Sequence, residues 1–241
     1  GTGSELTRHA VITNEEDHLK FVVVSWRNIP LVSFNDPMLM LGVPKSVTAA
    51  TGCDAFVQSI EPYVSVDHNP ITDSQCKEAI QLIQEALPEA VANGQNVEAR
   101  TKMVEAEMLA GMAFNNANLG YVHAMAHQLG GQYDAPHGVC CALLLTTVEE
   151  YNLIACPDRF AELARIMGYD TTGLTTMQAA EKSIDGMREM CKAVGIPSSI
   201  KAIGAKPEDF PLMAENALKD GNAFSNPRKG TKQDIIDLYQ K

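Results

Sequence analysis

YVHAMAHQLGGQYDAPHGVC, residues 121–140, holds three of the six histidines in a chain of 241 residues. His123 and His127 are four residues apart, so a helix would place both side chains on one face. His137 follows a Gly-Gly pair and a proline, where the chain can turn back on that helix. An i, i+4 histidine pair with a third group nearby is a known metal-ligand spacing. The segment therefore indicates a metal site, and ordinary hydrogen-bonded helix histidines remain the alternative on spacing alone.

On both sides of this segment the apolar pattern predicts a long helical body preceded by a short β segment. Residues 6–13 and 18–25 are rich in Val, Ile and Thr and are joined by the polar run NEED, which predicts an antiparallel hairpin. Residues 31–34, LVSF, are a candidate third strand. From about Pro44 the apolar period becomes helical. The predicted helices cover 46–65, 77–91, 97–129, 137–154, 157–168, 175–194, 207–219 and a last stretch capped by Thr231.

Cap and turn residues predict where several helices end. Thr72–Gln75 has the pattern of a capping box ahead of the second helix, and Asn93-Gly94 is a stop signal after it. Pro88 predicts a kink or break within that helix. In the long helix 97–129 an interruption is expected near Asn115-Asn116.

Composition limits the classes of function. The formal net charge of -11 argues against a nucleic-acid or anionic-membrane surface, because both attract clustered Lys and Arg. We expect no membrane span and no signal peptide. The cysteines show no C-x-x-C spacing, so we expect reduced, mostly buried thiols in a cytoplasmic protein. The six cysteines are Cys53, Cys76, Cys140, Cys141, Cys156 and Cys191.

The short β segment is too small to stand alone. Two or three strands cannot cover their own faces, and their edges would expose unpaired backbone groups. The chain also opens abruptly on GTGSE, a turn-like sequence. We therefore expect the β segment to be the end of a larger α/β domain.

Motifs along the whole chain resemble the iron-dependent (group III) alcohol dehydrogenases, in particular the bacterial enzymes related to 1,3-propanediol dehydrogenase. The histidine segment with its flanks is the most specific part of this resemblance. The motifs are GTGSELT (1–7), HLKFVVVSW (18–26), NDPMLMLGVP (35–44), TAATGCDA (48–55), PITD (70–73), LAGMAFNNANLGYVHAMAHQLGG (109–131), PHGV (136–139) and DGNAFSNPRKG (220–230).

The resemblance implies a mainly α fold, the all-helical metal-binding domain of the dehydroquinate synthase-like and iron alcohol dehydrogenase fold. Residues 44–241 would form this helical catalytic domain. Residues 1–43 would be the C-terminal strands of a truncated dinucleotide-binding domain. The implied activity is reversible hydride transfer from a primary alcohol or diol to NAD or NADP, with Fe²⁺, Zn²⁺ or another divalent metal. A small alcohol or aldehyde is the implied partner, and the full-length protein would be a homo-oligomer.

Metal ligands follow from the resemblance residue by residue. Asp54, His123 and His137 match three ligands of the family. Gln58 stands four residues after Asp54, where the family has its remaining histidine, so we predict that Gln58 is a fourth and weaker ligand. His127 matches a histidine near the metal and substrate that is not a ligand, and it is the candidate to relay a proton.

The resemblance also suggests cofactor contacts. Thr2 and Lys20 would touch the dinucleotide, and the segment 37–41, which includes Leu39, would pack beside its adenine. Phe114 on the helix before the histidines is a candidate pocket residue, with plain core packing as the alternative.

Several departures from the family pattern keep a second function open. Cys141 replaces an asparagine, and Thr146-Thr147 replace a Pro-His pair. Together with Gln58, these changes allow a degenerate, catalytically impaired metal-binding or interaction protein instead of a working dehydrogenase. A zinc hydrolase built on the histidine pair has little support, because Ala124 stands where the general-base glutamate would be needed.

Overall fold

The computed structural model describes residues 2–14 and 19–241, and it confirms a mainly α fold with one β-hairpin. Strand β1 (His9–Asn14) pairs antiparallel with β2 (Leu19–Val24), and His9 lies opposite Val24. The first residue of the predicted connection NEED, Asn14, ends β1, and the other three residues lie outside the described part of the chain.

The predicted third strand at residues 31–34 is wrong. This segment has no regular structure, and it pairs with neither described strand. Its apolar side chains are exposed, Leu31 fully and Phe34 by 88%. Without a ladder partner, the N–H and C=O groups of this segment cannot form a strand.

Most of the remaining described chain is helical, and each predicted helical region contains at least one α-helix. The helix Lys45–Val64 is buried along almost its whole length, and three others pack around it: Pro70–Ala92, Val97–Ala117 and His137–Asn152. The helices are α1 (Lys45–Val64), α2 (Pro70–Ala92), α3 (Val97–Ala117), α4 (Tyr121–Tyr133), α5 (His137–Asn152), α6 (Pro157–Ile166), α7 (Thr176–Ala193), α8 (Phe210–Lys219) and α9 (Lys232–Gln240).

Two predicted turns occur at different residues. The long helix predicted over 97–129 is broken at Asn118, whose φ of 57° lies in the left-handed region that asparagine tolerates. The Gly-Gly pair makes no turn, since both glycines lie within α4. The chain reverses instead at Asp134, with a φ of 50°. Aspartate is also tolerant of this conformation.

The second helix begins at Pro70, seven residues or about two turns before its predicted start at Lys77, and its N-cap is Asn69 and not Thr72. Its capping box joins Asn69 to Thr72, with the Asn69 side chain accepting from the Thr72 N–H and the Thr72 hydroxyl accepting from the Asn69 N–H. Pro88 neither breaks nor ends α2, which continues to Ala92 and is capped at Asn93 as predicted.

A close approach between α1 and α5 sets the position of His137. A Cβ atom on Gly138 would lie 2.1 Å from the Ala50 carbonyl oxygen, so only glycine allows the two backbones to meet there. His137 is the first residue of α5 and is carried by this contact to the side of α1.

The stretch His137–Ala155, with 19 residues and a mean hydropathy of 1.3, is long and apolar enough to cross a membrane by length and composition alone. A buried core helix passes the same test, so this stretch is weak evidence against the expectation of no membrane span. The stretch contains the core helix α5, and 56% of its apolar window is buried inside the protein. The six cysteines form no disulfide with one another, and they are mostly buried, as expected, with Cys156 partly exposed.

Glu149 on α5 leads to a prediction about stability. It is fully buried, its Oε2 accepts from the Asn152 amide at 3.2 Å, and burial raises the pKa of its carboxyl from 4.5 to about 8. The folded protein binds the Glu149 proton more tightly than the unfolded chain does. This proton binding therefore contributes its full stabilisation below pH 4.5, and the contribution is lost as pH rises through 8. The unfolding free energy of the parent protein should therefore fall between pH 6 and pH 9. In Glu149→Gln we expect this fall to be smaller by about 2 kcal/mol.

Urea unfolding of the complete protein and the variant at both pH values measures this difference. Glu150→Gln, an exposed carboxylate on the same helix, is the control. An identical pH dependence in Glu149→Gln and the parent protein would contradict the prediction.

Candidate metal centre

Three predicted ligands from three helices meet at one point. Asp54 lies in the middle of α1, His123 in the first turn of α4, and His137 at the start of α5. Asp54 Oδ1 is 3.5 Å from the Nε2 atom of His123 and 3.5 Å from the Nε2 atom of His137. Asp54 and His123 are buried, whereas the His137 side chain is 35% exposed.

The atoms that face this point fit a divalent cation. Asp54 Oδ1 and His123 Nε2 are both buried, and neither has a hydrogen-bond partner among the described residues. A buried polar atom without a partner costs about 1–3 kcal/mol. A cation at the shared point would satisfy both atoms, so the donor chemistry suits a metal.

Charge at the centre is already arranged for such an ion. Burial alone would raise the pKa of Asp54, but His137 and His123 beside it lower the pKa below its usual value. The carboxylate therefore stays ionised in the interior and supplies a negative charge for a cation.

Cys141, which in the sequence stands out only as a departure from the family pattern, brings a fourth donor. The donor atoms of Asp54, His123, His137 and Cys141 all lie within 4.8 Å of one another. Cys141 Sγ is 3.6 Å from His137 Nε2. The two residues are four apart on α5, so this helical spacing was the signal that could have identified Cys141.

Gln58 contacts Asp54. Its Nε2 donates to Asp54 Oδ2 at 3.0 Å, one turn along α1, and its Oε1 is buried without a partner among the described residues. The amide thus holds one carboxylate oxygen and leaves Oδ1 directed toward the histidines. In this orientation the amide nitrogen is a donor to Asp54, and the role of Gln58 as a ligand stays a prediction.

Glu61 is a functional residue that sequence reasoning missed. Its Oε2 accepts from His123 Nδ1 at 2.5 Å, and its Oε1 accepts from the Val122 N–H at 2.7 Å. This carboxylate fixes the tautomer of His123, so that Nε2 presents its lone pair to the centre. Glu61 follows Asp54 by seven residues, or two helical turns, which was the available signal.

We expect Glu61→Gln to weaken metal binding about 10-fold, because a neutral amide orients His123 less well and no longer increases its basicity. Competition with a chromogenic chelator measures the affinity. Glu149→Gln replaces another buried carboxylate that touches none of the four donors, and it should keep the parent affinity. Equal affinities in Glu61→Gln and the parent protein would refute this role.

His127 lies beside the centre with a carboxylate partner of its own. Its Nδ1 is 2.7 Å from Asp220 Oδ2, and its ring stacks on that of His137 with centroids 5.5 Å apart. Burial alone would raise the pKa of Asp220, but the contact with His127 lowers it. An ionised Asp220 accepts the Nδ1–H, which leaves Nε2 as the nitrogen for a substrate.

A cavity of about 470 Å³ opens onto these side chains. Phe114 and Leu119 give it apolar wall, and His127 and Asn222 add polar groups. Thr2 also lines it, the position in which a cofactor contact was predicted. The cavity has an apolar wall with convergent polar groups at one end, as small-molecule sites commonly do.

The other predicted cofactor residues lie elsewhere or cannot be placed. The backbone of Lys20 is in β2, but its side chain is outside what the structure describes. Leu39 is 70% exposed on the turn Pro37–Met40 and does not line the cavity. No side chain from this turn contributes to the described lining.

Comparison with known proteins agrees with this geometry. Residues 48–241 match the C-terminal domain of the Fe-containing alcohol dehydrogenase family. The chain is 57% identical over its whole length to 1,3-propanediol dehydrogenase from Klebsiella pneumoniae and spans 62% of that protein. An alcohol dehydrogenase from Oenococcus oeni has a similar structure, with 80% identity and a TM-score of 0.97 over 100% of this chain and 63% of that one. The chain belongs to the Fe-containing alcohol dehydrogenase family.

Proposed function

We propose that the protein containing this chain is a metal-dependent, NAD(P)-dependent alcohol dehydrogenase that interconverts a small primary alcohol or diol and its aldehyde. The observation that carries the proposal is the convergence of Asp54 Oδ1 with the Nε2 atoms of His123 and His137 at one end of a cavity. Family membership supports the reaction class. Relatives named for acting on 1,3-propanediol and methanol support short alcohols as substrates.

Each side chain has a role in this reaction. A divalent cation held by Asp54, His123 and His137 would act as a Lewis acid that lowers the pKa of the alcohol. His127, oriented by Asp220, accepts the hydroxyl proton or passes it on. The apolar wall at Phe114 excludes water beside the reacting carbon and accommodates a short alkyl chain.

The test is alcohol-dependent reduction of NAD⁺ or NADP⁺ by the complete protein. Ethanol and 1,3-propanediol are the substrates, and the assay is repeated after a chelator removes the metal and after Fe²⁺ or Zn²⁺ is restored. We expect activity that disappears with the metal and returns with it. Folded, metal-loaded protein without turnover on any short alcohol would reject the proposal.

One observation favours a second candidate, a metal-binding protein with impaired catalysis. Gln58 stands where the family resemblance places a histidine ligand, and its amide faces Asp54. Such a protein would hold the metal and still lack turnover. A gain of activity from an inactive parent in Gln58→His would identify a damaged dehydrogenase site, whereas metal binding with no gain would favour a non-catalytic role.

A further inference from the structure

We infer that Cys141 is a direct ligand of the metal and takes the place of the imidazole that Gln58 does not provide. The inference rests on the proposed metal site. It assigns the centre a donor set of one carboxylate oxygen, two imidazole nitrogens and one thiolate sulfur, from Asp54, His123, His137 and Cys141.

The distances match a tetrahedral ion. With bonds of about 2.3 Å to sulfur and about 2.1 Å to nitrogen or oxygen, neighbouring ligand atoms are about 3.6 Å apart for S···N and about 3.4 Å for N···O. Cys141 Sγ is 3.6 Å from His137 Nε2, and Asp54 Oδ1 is 3.5 Å from each histidine Nε2. Three of the six separations between the donor atoms therefore match the edges of a coordination tetrahedron, and all four donors lie within 4.8 Å of one another.

Helix geometry explains why this cysteine reaches the centre. His137 and Cys141 occupy the same face of α5, one turn apart, and the close contact at Gly138 holds that end of α5 against α1. Cys140 points elsewhere, since its Sγ is 3.9 Å from the Ala135 carbonyl oxygen. The two adjacent cysteines therefore contact different groups, and Cys140 provides a matched control.

Gln58 and Cys141 have complementary roles in this arrangement. The Gln58 amide donates to Asp54 Oδ2 and leaves one coordination position without an imidazole. Cys141 approaches from α5 and fills that position with sulfur. Binding releases the thiol proton to solvent and forms one metal–sulfur bond, so the centre gains a negative charge that a neutral histidine would not supply.

Cobalt substitution tests the inference in the complete protein without any assay of activity. Co²⁺ bound to a thiolate gives a sulfur-to-cobalt charge-transfer band in the near ultraviolet, and tetrahedral Co²⁺ gives intense visible bands whatever its ligands. We expect both signals in the parent protein and in Cys140→Ala. In Cys141→Asn we expect the charge-transfer band to be lost and the Co²⁺ affinity to fall at least about 10-fold.

A rescue variant tests the compensation. In the double variant Gln58→His, Cys141→Asn, the new imidazole should restore the Co²⁺ affinity without restoring the charge-transfer band. Failure of Gln58→His to raise the affinity of Cys141→Asn would contradict the exchange of one ligand for the other. The parent spectrum alone decides the ligand if Cys141→Asn does not fold.

The outcomes separate this inference from the proposed function. Stoichiometric Co²⁺ with tetrahedral visible bands but no charge-transfer band in the parent protein would overturn Cys141 as a ligand and leave the metal site standing. Folded protein that binds no Co²⁺, Fe²⁺ or Zn²⁺ would overturn the proposed function and this inference together.

Discussion

Replacing Asp54 with asparagine is expected to lower the metal affinity of the complete protein at least about 100-fold, more than the 10- to 100-fold typical of losing an outer partner of a ligand. Asp54 is fully buried, and its Oδ1 lies 3.5 Å from both histidine nitrogens. Asparagine keeps the shape and removes the carboxylate charge. Alcohol-dependent turnover should fall with the metal content.

Metal analysis after equilibrium dialysis, together with circular dichroism to check folding, measures the effect. Asp185→Asn is the matched control, since its side chain is 45% exposed and forms surface ion pairs with Lys182 and Arg188. A folded Asp54→Asn variant that retains stoichiometric metal at parental affinity would show that this carboxylate is not a ligand.

How far the sequence predicts this centre depends on the range of each contact. His123 and His127 are predicted by their i, i+4 spacing, and Asp54 enters through the family resemblance. Glu61 and Cys141 were also within reach, because each lies a whole number of helical turns from a predicted ligand. The prediction missed them because helical spacing alone does not distinguish them from the other residues on the same faces of α1 and α5.

Asp220 could not be assigned a role from the sequence. It follows the last residue of α8 and contacts His127, 93 residues away in the sequence. Its carboxylate also accepts from the Asn222 N–H and so caps a short turn. This contact depends on how α8 packs against α4, and no local periodicity reports such packing. DGNAFSNPRKG was recognised as a family motif, but the role of its first residue required the tertiary structure.

The fold shows the same division. Apolar periods predicted the helical regions because each region buries a face against α1 or its neighbours. The ends were less accurate where a single residue with positive φ decides them, as Asn118 and Asp134 do. The division into residues 1–43 and 44–241 stays a prediction.

The second large effect is expected at His127. Glutamine at this position keeps a polar side chain of similar reach but cannot accept and release a proton near neutral pH. We expect the turnover number of the proposed reaction to fall about 100-fold, the low end of general acid–base effects, while metal affinity stays within about threefold. The loss should fall on kcat more than on KM, because proton transfer occurs in the chemical step and not in substrate binding.

Steady-state kinetics on metal-loaded protein, with the metal content measured on the same samples, separates catalysis from binding. Gln132→Ala, an exposed residue on α4, is the control for changes to that helix. Asp220→Asn should produce a smaller fall of the same kind, because the imidazole remains but its Nδ1 partner at 2.7 Å loses its charge. If His127→Gln instead lost metal in proportion to activity, His127 would be part of the metal centre, and the proton would have to be relayed by another group in the cavity.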